Sequence, residues 1–237
     1  MIEIVEGRRT VLKVDRVTLF VDGEDGGDYT TAHFAIYSGQ LALVRLEKLP
    51  QAVSFADHFS GLTPPFDGNV FFFGRDWQTA PTDTVNAMRG RIGRVFSSGS
   101  WLEGFSLLDN ILLPQLHHTR SPIPELRQEA AQLAEQFSLP GLPLGRPENY
   151  SRADLQRSAC VRAFLGTPAL LLLEDPTFGV YPRIMTALVN AIRRARNKGA
   201  AVIWMTLSDE VWRDDSIPAD RFFRVAGRKL MEVKRPT

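Results

Sequence analysis

Leu170-Leu171-Leu172-Leu173-Glu174-Asp175-Pro176-Thr177 is an unbroken apolar run that ends in two adjacent carboxylates and then a Pro-Thr pair. An apolar segment of this length, without polar alternation, reads as a strand buried on both faces, as in a parallel sheet covered by helices. The proline directly after the acids stops the strand, so Glu174 and Asp175 stand at its tip. Paired acids at such a tip suit a nucleotide-hydrolysing site, which must hold a metal ion and polarise a water. Upstream, Ser151-Arg152-Ala153-Asp154-Leu155-Gln156-Arg157 leads into the apolar Ala159-Cys160-Val161-Arg162-Ala163-Phe164-Leu165, a helix-like segment.

The bulk numbers narrow the function classes. A chain of 237 residues with 44% hydrophobic content buries a full core and suits one α/β domain carrying an inserted subdomain, with no room for a second catalytic domain. Lys+Arg 28 against Asp+Glu 27 leaves a net charge of +1, which removes any global field for nucleic acid or an anionic membrane. Cys160 is the single cysteine, which excludes an internal disulfide, and its apolar surroundings predict a buried thiol. His33, His58, His117 and His118 have no zinc-like spacing with cysteine or acidic partners, and no metal is expected. Trp77, Trp101, Trp204 and Trp212 are scattered and read as core or interface residues, not as a base-stacking platform. Met1-Ile2-Glu3-Ile4 carries no basic-then-apolar leader, and no apolar stretch is long enough to span a bilayer. The expectation is a soluble chain, cytoplasmic or peripheral to a membrane.

Along the chain, Thr10 to Phe20 and Ala32 to Tyr37 are β-like and are separated by the Gly/Asp-rich Asp22 to Asp28. Leu41 to Leu46 follows the turn at Ser38-Gly39. Gln51 to Phe59 is helix-like and stops at Gly61, before Thr63-Pro64-Pro65-Phe66-Asp67-Gly68 and a strand from Asn69 to Phe73. A helix from about Pro182 to Asn197, a turn at Lys198-Gly199 and a buried strand Ala201 to Thr206 complete the pattern.

The order of strand, helix, "GL-x-P-x-x-G", strand, signature-like helix and acidic strand tip resembles the ATP-binding subunits of ABC transporters. The resemblance implies a nucleotide-binding-domain fold: an α/β, P-loop NTPase-like core with an N-terminal antiparallel sheet and an inserted helical subdomain. Residues 1–95 and 169–237 would form the core and 96–168 the insertion. It also implies where the chemistry should be. The phosphate loop G-x-x-x-x-G-K-[ST] needs glycines for backbone approach, a lysine for phosphate oxygens and a hydroxyl for magnesium. Counted back from Gly61-Leu62 it falls on Leu46-Glu47-Lys48-Leu49-Pro50-Gln51-Ala52-Val53, with Ala52 at the lysine. No glycine occurs between Gly39 and Gly61, so a shift by one residue restores nothing. Ser97, in Val95-Phe96-Ser97-Ser98-Gly99, stands where a glutamine reaches metal and water. The signature maps to Tyr150 to Arg157; it keeps Ser151, Gln156 and Arg157, loses both glycines and places Asp154 near the phosphate approach. Glu174-Asp175 reverses the usual Asp-Glu order, Tyr181 replaces an interface aspartate, and Leu207 replaces the switch histidine.

The losses fall on the chemical positions while the scaffold positions match, so the resemblance implies a catalytically degenerate subunit with no cofactor. Arg89 to Leu102 and Leu107 to Pro114 are similar to the ATPases of Mce-associated, Mla-type lipid transporters; lipoprotein-exporting and cell-division subunits share the "DNI-x-LP" stretch. The branch implies a structural or regulatory role in lipid transport at the cytoplasmic face of the inner membrane. Its partners would be a transmembrane permease and a second ATPase subunit or a second copy of itself. Phe105, Leu107, Leu108, Ile111 and Leu112 are the candidate permease-binding residues, with the subdomain core as the competing explanation for each. A working ATPase with atypical motifs and a free-standing interaction protein are the alternative readings.

Overall fold

The leucine run is buried on both sides. In the computed structural model, which describes residues 4–5, 7–21 and 27–235, Leu171 and Leu173 face one hydrophobic core and Leu170 and Leu172 the other. Neighbouring strands divide in the same way: Leu41, Leu43, Val202 and Trp204 join the first core, and Ala42, Val44, Ile203 and Met205 the second. Two covered faces explain why these strands show no polar alternation, and each fully buried leucine contributes about 2 kcal/mol. Met1 to Glu3, and residues 22–26 of the expected Asp22–Asp28 turn, lie outside the described residues.

The chain runs β1 (Ile4–Val5), β2 (Arg8–Val21), β3 (Asp28–Tyr37), β4 (Leu41–Arg45), α1 (Leu49–Phe59), β5 (Asp67–Phe72), β6 (Arg75–Asp76), α2 (Thr82–Arg89) and β7 (Ile92–Val95). It continues with α3 (Leu107–His118), α4 (Ile123–Gln136), α5 (Arg152–Phe164), β8 (Leu170–Glu174), α6 (Met185–Asn197), β9 (Ala201–Thr206), α7 (Asp209–Arg213), β10 (Arg221–Ala226) and β11 (Lys229–Val233). The sheet order is β6-β5-β2-β3-β11-β10-β4-β9-β8-β7, with β1 on β2. β7, β8, β9, β4 and β10 are mutually parallel neighbours, whereas β2 pairs antiparallel with β3 and β5. The result is a parallel core with an antiparallel extension built from the N-terminal strands. A bulge between Val14 and Val17, where Arg16 has φ +49°, lets two valines three residues apart both point inward.

Helices α3, α4 and α5 lie in the chain between β7 and β8 and pack on one another, and α5 packs on β7. Gly93 makes that approach possible: a Cβ there would stand 1.9 Å from the Ala163 carbonyl oxygen on α5. Asn110, 3% exposed, holds the start of α3 by donating to the Leu102 and Ser106 carbonyls and accepting from the Leu102 N–H. Cys160 is buried on α5, and burial pushes its thiol up to about 12. His117 and His118 form the last turn of α3; partial burial, His117 and Arg89 lower the His118 pKa. Several boundaries differ from the sequence expectation; β3, for example, begins at Asp28 and not Ala32, and β5 at Asp67 and not Asn69. Helix α1 begins at Leu49 because Pro50 favours the first helical turn, and α6 begins at Met185, after a series of turns from residue 176.

Candidate functional site

Parallel neighbours end at a common edge, and in open α/β sheets that C-terminal edge is where ligands bind. Here Arg45 is opposite Thr206, Glu174 opposite Met205, and Val95 opposite Leu173. The edge therefore brings together the ends of β4, β9, β8 and β7. Glu174 is 1% exposed, and both its oxygens are engaged. Arg94 Nε, from β7, donates to Glu174 Oε1 at 2.5 Å, and the Ser97 N–H donates to Glu174 Oε2 at 3.1 Å. The Arg94 guanidinium also donates to Asp57 Oδ1 on α1 at 2.6 Å. A buried carboxylate requires such pairing, and the Arg94 guanidinium, with one donor on Glu174 and another on Asp57, provides it. Arg94 further stacks over Phe96, at 4.4 Å from the ring centre, and Arg162 lies over the same ring at 5.1 Å. Burial first and Arg94 second lower Arg162 to about 10.

Asp175 leaves the strand in the left-handed region, with φ +43°. Its N–H donates to the Met205 carbonyl at 2.9 Å, and its Oδ1 accepts from the Thr206 hydroxyl at 3.3 Å. Burial raises the Asp175 carboxyl, against the opposing effects of Thr206 and Arg45.

Between β4 and α1 the connection is only Leu46, Glu47 and Lys48. Gln51, 2% exposed in the first turn of α1, turns back over it: its Oε1 accepts from the Glu47 N–H at 2.9 Å and the Lys48 N–H at 3.2 Å. Gln51 is the third residue of α1 and Lys48, extended at φ −147° and ψ 150°, is its N-cap, so this is a helix-capping contact that occupies both N–H groups of the connection. Ala52, the position counted as the phosphate-loop lysine, is fully buried in the core beneath α1.

The other marked residues fall elsewhere. Ser151 caps α5, accepting from the Asp154 N–H at 3.1 Å, and its hydroxyl donates to Asp154 Oδ2 at 2.7 Å. Asp154 also pairs with Arg157 at 3.1 Å, so its carboxylate is engaged within the first turn of α5. Leu207 follows β9 and packs partly against the core. Among the candidate partner-binding residues, Leu107, Leu108, Ile111 and Leu112 are at most 3% exposed and belong to the core. They are corrected to packing residues, because the apolar face of α3 is turned toward α5. Phe105 alone stays exposed, at 50%. The apolar groove beside α3 has a volume of about 380 Å³ and is lined instead by Leu62, Phe96, Leu102, Leu113 and Leu165. Sequence reading missed Arg94, Asp57 and Gln51. The available signal was Arg94 itself, a charge between the apolar Ile92 and Val95, which demands a partner wherever such a segment is buried.

The family model described as "ABC transporter" matches residues 54–178, more than half of the chain. The lipoprotein-releasing system ATP-binding protein LolD of Gluconobacter oxydans is 32% identical over 161 residues, covering 65% of this chain and 68% of that protein. The intermembrane phospholipid transport system ATP-binding protein MlaF of Haemophilus influenzae is 28% identical over 171 residues, covering 72% and 64%. In fold, the chain is similar to the ATP-binding cassette MJ0796, in a dimeric post-hydrolysis state with ADP and Pi. The TM-score is 0.82 at 19% identity, over 95% of this chain and 99% of that one. With its strand order, its inserted helices and its acidic strand tip, the chain is a member of the ABC transporter family and has the fold of that family's ATP-binding cassette.

Proposed function

We propose that this cassette is a non-hydrolysing subunit of a lipid-handling membrane transporter, kept for the surface it presents. The observation that carries the reading is the commitment of Glu174: Arg94 and the Ser97 N–H engage both oxygens of the carboxylate that a cassette offers to magnesium. The residues present do not fit a magnesium nucleotide. The Glu47 and Lys48 N–H groups between β4 and α1 are taken by Gln51, Ala52 brings no charge and is buried, and the Leu207 side chain offers no hydrogen bond. Among the described residues no group of three His, Cys, Asp or Glu side chains is placed to hold a metal ion. Glu174 and Asp175 are accordingly given no hydrolytic step.

The lipid assignment is supported by the names of two similar proteins, one in a lipoprotein-releasing and one in an intermembrane phospholipid transport system. Among the described residues no helix is long and apolar enough to cross a membrane, and the proposed partner is a transmembrane permease. Its docking face on this chain would be the groove of Leu102 and Leu113 together with exposed Phe105. Cassette pairing would involve a second copy or another ATPase subunit, at the inner membrane's cytoplasmic face. Titration calorimetry with Mg-ATP tests the reading. No saturable heat is expected in the low micromolar range, and a saturable isotherm there overturns it.

A further inference from the structure

A second concavity lies at the opposite end of the parallel strands from Glu174. It has a volume of about 560 Å³ and is bounded by α4, the last turn of α6 and the segments entering β7, β8 and β9. That size lies within the usual range for small-molecule sites. Four cations line it: Arg9, Arg91, Arg194 and Lys198. Among the described residues none of the four forms an ion pair. The one lining carboxylate, Glu129, accepts from the Gly166 N–H at 3.1 Å. In a chain with a net charge of +1 this is a concentrated excess of positive charge.

Part of it has a local explanation. Arg194 and Lys198 stand at the C-terminal end of α6, where cations complement the helix dipole, and Arg194 also bonds the Gln136 side chain. Arg9 and Arg91 have no such explanation. They come from β2 and from the turn before β7, far apart in sequence, and both stack on Phe73, with guanidinium carbons 5.9 and 4.5 Å from the ring centre. Stacking on an aromatic face presets a guanidinium while leaving its in-plane N–H donors free, and those donors match phosphate oxygens.

We propose that this cleft binds a small organic phosphate carrying two or more negative charges. Arg9 and Arg91 supply forked hydrogen bonds, Arg194 and Lys198 add charge, and Phe73 and Phe164 provide an apolar wall for the rest of the ligand. The site is independent of the N–H groups taken by Gln51 and does not rest on the proposed lack of ATP hydrolysis.

The test uses the full chain with pyrophosphate as the free probe. In parallel, flotation is measured with vesicles of phosphatidylcholine alone and with added phosphatidic acid, whose phosphomonoester can carry two negative charges. Saturable binding is expected, weakened roughly tenfold or more in Arg9→Gln/Arg91→Gln, which loses the forked contacts. It should also weaken as salt rises from about 50 to about 200 mM, because the cleft is open to solvent. Both arginines are exposed, so the double variant should keep the wild-type circular dichroism spectrum. Vesicle binding that requires phosphatidic acid and is lost in the double variant assigns the same site to a lipid phosphomonoester headgroup. Absence of saturable binding to either probe overturns the proposal, as does binding that the double variant retains in full.

Discussion

Replacing Arg94 by methionine removes the guanidinium that joins β7, β8 and α1 while keeping most of the side chain's length. Glu174 would then be a carboxylate, 1% exposed, with only the Ser97 N–H as a partner. Removing one member of a buried ion pair typically costs about 3–5 kcal/mol, because the other is left as an uncompensated charge. The lower end applies here, since the Asp57 side chain is 31% exposed and keeps its hydration when Arg94 is lost. We therefore expect a loss of about 3 kcal/mol, or a fall of roughly 1 M in the urea midpoint at unchanged m-value. The companion variant Arg94→Met/Glu174→Met removes both charges and should return to within about 1 kcal/mol of wild type, since well-packed apolar pairs replace buried ion pairs at little cost. Urea unfolding of the two single variants and the double completes the cycle. A double variant as unstable as Arg94→Met would refute the reasoning, and so would a single variant that loses less than about 1 kcal/mol.

Other consequences follow from burial and capping. Ala52→Lys places a charge at a fully buried position on α1 and should lower the melting temperature sharply without creating nucleotide affinity, as thermal unfolding with and without Mg-ATP would show. Ser151→Ala removes the α5 cap and should cost about 1 kcal/mol in urea unfolding. Because burial raises the Asp175 carboxyl, the folded state holds that proton more tightly than the unfolded chain, and stability falls as pH rises from the unfolded value to the folded one. Asp175→Asn should accordingly raise the melting temperature at neutral pH, with a gain that shrinks toward about pH 4, followed by calorimetry across pH. Cys160, fully buried and shifted to about 12, should react with a thiol reagent only at the rate of unfolding.

Much of the fold was legible without coordinates. The run Leu170 to Leu173 and the stretch Ala201 to Thr206 declare strands covered on both faces, because only a doubly buried strand tolerates a full set of apolar side chains. The helix-like segment after Ser151 declares its own start, since a hydroxyl followed three residues later by an acid is a capping pattern. Bulges and boundaries were harder to read. The turn of Arg16 to φ +49° depends on how β2 meets β3 and β5 together, which no local pattern encodes.

The sequence by itself determined which groups are available at the strand tips: a reversed Glu174-Asp175 pair, no glycine between Gly39 and Gly61, a serine at 97 and a leucine at 207. Only the tertiary structure decided what those groups do. Arg94 lies 80 residues before Glu174, and Asp57 lies 37 before Arg94, so their ion pairs exist only because the sheet order brings β7 beside β8 and lays α1 across them. The same holds for α3, whose leucines read equally as a docking stripe or a core stripe until α5 covers them. Residue type sets what a side chain can bond to. Which partner is within about 3 Å, and whether water competes for it, is a property of the packed chain.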